Sequence, residues 1–182
     1  MKYPGAELDS FDKATIWRKY IYSKVKKFIK GNVLEVGAGI GSFTKNYEKT
    51  VSKLTLSEID PENLSVIKKK FSNPKFSFTN KFTKDLGENF DTIMYLNVLE
   101  HIEDDTEEIN NAFKKLKKNG HLIILVPAHN NLYSKFDEAV GHFKRYEIDF
   151  FKQIKIQNIK KQKLIYLDSM GYFLYYLNKL FF

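Results

Sequence analysis

The chain contains no cysteine, which excludes disulfides, Cys-ligated zinc and thiol nucleophiles together. Arginine is nearly as scarce: Arg18 and Arg145 stand alone among a Lys+Arg total of 30. Nucleic-acid readers favour arginine for bidentate contacts to phosphates and bases. A net charge of +8 built on lysine, beside abundant Ile, Asn, Phe and Tyr, therefore reads as coding bias and disfavours a nucleic-acid partner. No apolar run approaches the ~20 residues of a membrane span; the nearest, MGYFLYYL, is far too short. The opening MKYPGAELDS lacks the basic-then-apolar order of a signal peptide, so a cytoplasmic protein is expected. No metal-ligand set is read from the four histidines. What is present is 182 residues with 43% hydrophobic content, enough for one domain with a real core.

Apolar runs alternate with helical patterns, which predicts a doubly wound, mostly parallel α/β sheet with helices on both faces. Phe11, Ile16, Trp17, Tyr20, Ile21, Val25 and Phe28 recur near a 3.6-residue period and predict one helix, with Ser10 as cap and Gly31 as stop. Residues 33–36 read as a buried strand entering Gly37-Ala38-Gly39-Ile40-Gly41, followed by a helix to about Lys49. Residues 54–59 form the next strand, and Asp60 caps a helix whose first position is Pro61. Strands follow at 76–79 and 91–96, then a helix over about 105–118 stopped by Gly120. A strand at 121–126 ends at Pro127 and leads into a loop at 128–147, long enough to be suspected of function. A lysine-rich helix from about 148, a strand at 164–167 and an aromatic tail at 170–182 complete the chain.

Glycines at 37, 39 and 41 between strand and helix allow a tight turn and close approach of a ligand. Such a turn lies at the carboxyl edge of a doubly wound sheet. A dinucleotide fingerprint wants Gly or Ala where Ser42 stands, and it seats a pyrophosphate on the helix start. Glu35, two residues before the first glycine, would repel a phosphate and attract a ligand bearing ammonium and sulfonium charges. S-adenosylmethionine has both charges and no phosphate. Glu58, at the end of the next strand, can accept from both ribose hydroxyls of an adenosine, a role that serves a dinucleotide equally.

Glu35-Val36-Gly37-Ala38-Gly39-Ile40-Gly41 with Glu58 resembles the class I S-adenosylmethionine-dependent methyltransferases. Leu96-Asn97-Val98-Leu99-Glu100-His101-Ile102 is similar to their fourth-strand segment, and Lys118-Asn119-Gly120-His121-Leu122 to their turn into strand 5. Pro127-Ala128-His129 through Gly141-His142-Phe143-Lys144-Arg145-Tyr146 further resembles a bacterial subgroup with a Gly-His-x-Arg-Arg-Tyr-like signature, Lys144 replacing its first arginine.

The resemblance implies strand order 3-2-1-4-5-7-6, strand 7 antiparallel, and a single domain over 1–182. Within it, 1–30 is an N-terminal helical segment, 31–127 the cofactor-binding core, and 128–182 the substrate-side loop and C-terminal part. It implies Glu35 near the methionine amino group, Gly37, Ala38, Gly39 and Gly41 against the cofactor, Glu58 with Ile59 at the ribose, and Asn97 at the methionyl portion. Asn80 stands where the family often has an acid for the adenine. No strand 7 candidate follows residue 167, so the last strand is expected to be missing through truncation or supplied by a partner, or else strand 6 pairs with strand 5.

In-line methyl transfer needs orientation, exclusion of water and, for a protonated acceptor, a base. His101, His129, Asp137 and His142 are base candidates, and Tyr133, Arg145 and Tyr146 are candidates for holding the acceptor. Asn97-Val98-Leu99-Glu100 is unlike the Asn/Asp-Pro-Pro-aromatic signature of amino-methylating DNA enzymes. A small-molecule, sugar or lipid-linked acceptor methylated on oxygen is favoured. The tail residues Tyr172, Phe173, Tyr175, Tyr176, Phe181 and Phe182 suit core, a homodimer face or a peripheral membrane contact. A nicotinamide-dependent oxidoreductase and a noncatalytic S-adenosylmethionine-binding protein are the alternative readings.

Overall fold

The computed structural model describes residues 7–87, 89–154, 159, 162–167, 171–173 and 176. Its centre is a five-stranded, all-parallel sheet: β1 (Asn32–Val36), β2 (Lys53–Ser57), β3 (Phe76–Thr79), β4 (Phe90–Leu96) and β5 (Leu116–Leu125), in the order β3-β2-β1-β4-β5. The strands read as near-continuous apolar runs because both faces are covered. On one face Val33, Leu54, Leu56 and Met94 pack with Ile67 and Phe71. On the other Leu34, Ile93 and Tyr95 pack with Ala112. The first face carries α1 (Glu7–Lys13), α2 (Thr15–Val25) and α3 (Pro61–Lys70); the second carries α4 (Asp105–Lys115). This is the doubly wound class I methyltransferase fold. Among the described residues, no helix is long and apolar enough to cross a membrane.

Several expected elements take different forms. The single N-terminal helix is two, broken at Ala14, and Ser10 lies inside α1 instead of capping it. Arg18 causes the break: its guanidinium donates to the carbonyls of Phe11 and Asp12, satisfying groups a continuous helix would use. After the glycines there is only a 3₁₀ turn at Thr44–Asn46 instead of a helix to Lys49. Side chains of Asn46 and Thr50 bond the carbonyls of Phe43 and Tyr47, and such local bonds compete with a helical ladder. α4 stops at Lys115, because Leu116 already pairs with Phe90 before a register shift admits Thr92 opposite His121.

The 128–147 segment is partly ordered by a 3₁₀ turn at Asn130–Leu132, helix α5 (Lys135–Ala139) and a parallel bridge from Ala128 to Tyr146. The helix expected from 148 is short, α6 (Ile148–Gln153). Residues 164–167 are not a strand. There the Tyr166 ring stacks on His129, and its hydroxyl donates to Glu147 while accepting from the Ile148 N–H. Side-chain contacts thus return the chain over the 128–147 segment without a sheet ladder. Tyr175, Phe181 and Phe182 lie outside the described residues.

Candidate functional site

The strand order reverses direction between β1 and β4, and open α/β sheets bind ligands at such a switch point, beyond the carboxyl ends of the strands. The glycine turn sits there. Gly37 and Gly41 have φ of 62° and 72°, the left-handed region that penalises any Cβ. A Cβ on Gly37 would lie 2.5 Å from Val98 Cγ2, just past β4, and one on Gly41 would run into Phe71. These glycines therefore let the turn pack closely on its own protein neighbours. Ala38 is buried and its N–H donates to the Ser57 carbonyl, stitching the turn to β2.

Glu58 follows β2 and is 6% exposed. Its carboxylate accepts from the Gly39 N–H at 2.7 Å and the Asp60 N–H at 2.8 Å. Burial raises its pKa against the pull of those donors. Asp60 in turn caps α3, accepting from the Glu62 and Asn63 N–H groups. An ionised carboxylate offers about four lone-pair sites, so Glu58 can tie the turn and still take a hydroxyl.

Glu35 is more enclosed. Its carboxylate accepts from Thr44 Oγ1 at 2.5 Å and from the Tyr47 hydroxyl, all buried beneath the turn. Burial pushes its pKa up to about 7, against those two hydrogen bonds. Burial and the Glu35 charge hold the Tyr47 phenol well above its usual range, so it stays a donor. A third carboxylate, Asp12, accepts from Ser42 Oγ at 2.6 Å and lies 3.9 Å from both Lys45 and Lys70. It brings the N-terminal segment to the glycine turn.

The remaining predicted cofactor positions share this edge. Ile59 and Asn80 are exposed just past β2 and β3. Asn97 is exposed past β4 with a φ of 55°, and its N–H donates to the Leu125 carbonyl. Backbone held in this region is sparsely populated and tends to occur where a site over-determines it.

The 128–147 segment contributes a second cluster. Asp137 is fully buried and accepts from Arg145 Nε and Nη2 at 2.9 and 3.0 Å, from His142 Nδ1 at 2.8 Å, and from Ser134. Burial pushes its carboxyl up, but the Arg145 and His142 bonds outweigh this and hold it below its usual range. Arg145 is thus engaged within the loop. Tyr146 is buried, its hydroxyl donating to Asp105 at 2.8 Å and lying 3.0 Å from the Leu99 carbonyl, while Tyr133 donates to the His142 carbonyl. All three candidate acceptor-binding side chains hold the loop together. Lys144 ion-pairs with Asp105 at 2.6 Å.

His101 and His142 are brought together, ring centroids 4.7 Å apart, beside the fully buried Glu100. His129 stands apart, against Tyr166 and Tyr172. Thr44, Tyr47, Asp12 and Glu100 were not singled out for these contacts from the sequence. For Glu100 a signal existed, an acid embedded in the apolar run 98–102.

Comparison with known proteins decides what this edge belongs to. A family profile of methyltransferase domains matches residues 16–164. The chain belongs to that family. Demethylmenaquinone methyltransferases of Tropheryma whipplei strains Twist and TW08/27 are each 26% identical to this methyltransferase domain over 123 residues, 66% of the chain and 52% of the relative. The chain thus spans about half the length of these curated relatives. Among solved structures, the N-methyltransferase NodS from Bradyrhizobium japonicum WM9, in complex with S-adenosyl-L-homocysteine, matches with a TM-score of 0.58 and 22% identity, over 73% of this chain and 68% of NodS. An S-adenosylmethionine-dependent methyltransferase from Clostridium acetobutylicum ATCC 824 matches with a TM-score of 0.53 and 20% identity, over 69% and 58%. These likenesses are of fold.

Proposed function

We propose that the chain is a methyltransferase using S-adenosylmethionine, acting in the cytoplasm on the oxygen of a small-molecule, sugar or lipid-linked acceptor. The observation that supports this donor over a dinucleotide is the Glu58 bridge, which commits the Gly39 N–H to a carboxylate, with a 3₁₀ turn where a pyrophosphate site has a helix start. Asp12 on the far side of the turn is paired with Lys45 and Lys70 and adds no net negative charge there. When bound, S-adenosylmethionine supplies a methyl carbon already activated by its sulfonium.

The chain's own residues then bind and orient. Glu58 holds the ribose, with Ile59 beside it. Asn80 meets the adenine edge, and Asn97 lies by the methionyl end. Glu35, gripped by Thr44 and Tyr47, acts beneath the turn by setting its shape. On the acceptor side, His101 and His142 are the base candidates. Asp137 positions His142 through Nδ1, and its lowered pKa and multiple donors remove it as a base. The loop sequence supports membership of the Gly-His-x-Arg-Arg-Tyr-like subgroup, with Lys144, in place of its first arginine, keeping a cation against Asp105.

Calorimetric titration tests the donor. S-adenosylmethionine should bind and NAD should not, and Glu58→Ala should weaken S-adenosylmethionine at least tenfold while far-UV circular dichroism stays unchanged. NAD binding without S-adenosylmethionine affinity would overturn the reading. S-adenosylhomocysteine release across an oxygen-acceptor panel then separates an enzyme from a binding protein.

A further inference from the structure

Glu100 and His101 lie on the 3₁₀ turn at Leu99–His101 after β4, and His142 reaches them from the 128–147 segment. One ligand atom from each of the three lies within 4.8 Å of the others. We propose that Glu100, His101 and His142 form a binding site for one divalent transition-metal ion of the zinc type. The donor set, two imidazoles and one carboxylate, is one such ions accept, with a coordination position left over for an exogenous ligand.

The orientation of both rings carries the argument beyond proximity. His142 gives Nδ1 to the Asp137 carboxylate at 2.8 Å, which directs Nε2 toward Glu100 Oε1, 4.0 Å away. The His101 ring is held too, with Nδ1 at 3.2 Å from the Gly141 carbonyl. A histidine whose second nitrogen is fixed by a carboxylate or carbonyl is the arrangement that sets tautomer and basicity in metal sites. Asp137 is itself locked by Arg145 and Ser134, so the outer support is rigid. The Phe143 N–H donates to the Glu100 carbonyl at 2.8 Å, fastening the loop to the turn. Glu100 is fully buried, and a carboxylate beside two imidazoles is a donor set that a divalent cation matches. Ligands about 2.0–2.2 Å from a shared ion lie roughly 3.3 Å apart, so shifts of about 1 Å would close the site.

The site stands at the carboxyl edge beside Asn97, on the acceptor side. Its role there rests on the proposed function: with an ion bound, His101 and His142 serve as its ligands and not as bases. Metal binding itself does not depend on that reading.

The test uses the tag-free 182-residue chain, stripped with chelator and titrated with Zn²⁺ by calorimetry and Co²⁺ by visible absorption. One ion per chain is expected, with a Co²⁺ ligand-field band. His101→Ala and His142→Ala should each weaken binding at least tenfold and abolish the band. Asp137→Asn, which removes no ligand, should weaken it about 10–100-fold. His129→Ala, on a histidine outside the cluster, should bind as the parent does. Should His142→Ala fail to fold, the less buried His101→Ala carries the test. No stoichiometric uptake by the parent chain, or unchanged affinity in His101→Ala, would overturn the proposal. S-adenosylmethionine affinity measured on the same samples separates the two failures: metal without S-adenosylmethionine sinks only the proposed function, and S-adenosylmethionine without metal sinks only this site.

Discussion

Glu35 shows what one carboxylate does differently once its surroundings are known. From the sequence it is a charge repelling phosphate. In the fold it is a buried acid between Thr44 and Tyr47 with a pKa raised from 4.5 to about 7. The folded state therefore holds its proton more tightly than the unfolded chain does, and this favourable contribution is full below about pH 4.5. It is lost as pH rises to about 7, and the gap amounts to roughly 3 kcal/mol. Glu35→Gln keeps an acceptor for both hydroxyls and removes the titration. In urea denaturation, the variant should gain stability over the parent as pH rises from 5 to 8, by about 1–3 kcal/mol. A constant difference across that range would show that Glu35 does not titrate there. Glu58 stands where the sequence put it, directly after β2, because a strand end fixes where its side chain starts.

At the scale of elements, local chemistry decided the successes. Asp60-Pro61 capped α3 as read, since a cap and a fixed φ act within one turn. The failures came from distant partners. Arg18 reached the Phe11 and Asp12 carbonyls and split a helix whose apolar period was continuous. The 128–147 segment read as loop but is organised around Asp137 by Ser134, His142 and Arg145. Arg145→Leu should leave that buried carboxylate without its main counter-charge, a change that costs about 3–5 kcal/mol. Hydrogen exchange should show residues 134–146 losing protection while β1 and β4 keep theirs. Equal protection in both proteins would mean the pair does not hold the loop.

At the scale of the molecule, the sheet order sets the carboxyl ends of β2, β1 and β4 side by side, with Glu58, the glycine turn and Asn97 following them on one edge. A ligand that binds there in the native state stabilises the whole chain, by about 2.7 kcal/mol at 100 times its Kd. Thermal unfolding should accordingly shift upward with S-adenosylmethionine and stay unmoved with NAD at the same concentration. The strand–helix units β2–α3 and β4–α4, the parallel sheet and the glycine turn were legible in the sequence because periodicity and capping are local properties. The enclosure of Glu35, the engagement of Arg145 and Tyr146 within the loop, and the meeting of Glu100 and His101 with His142 were decided by tertiary structure alone. Those groups lie 8 to 47 residues from their partners, and burial or partnership across such separations exists only after the chain has folded.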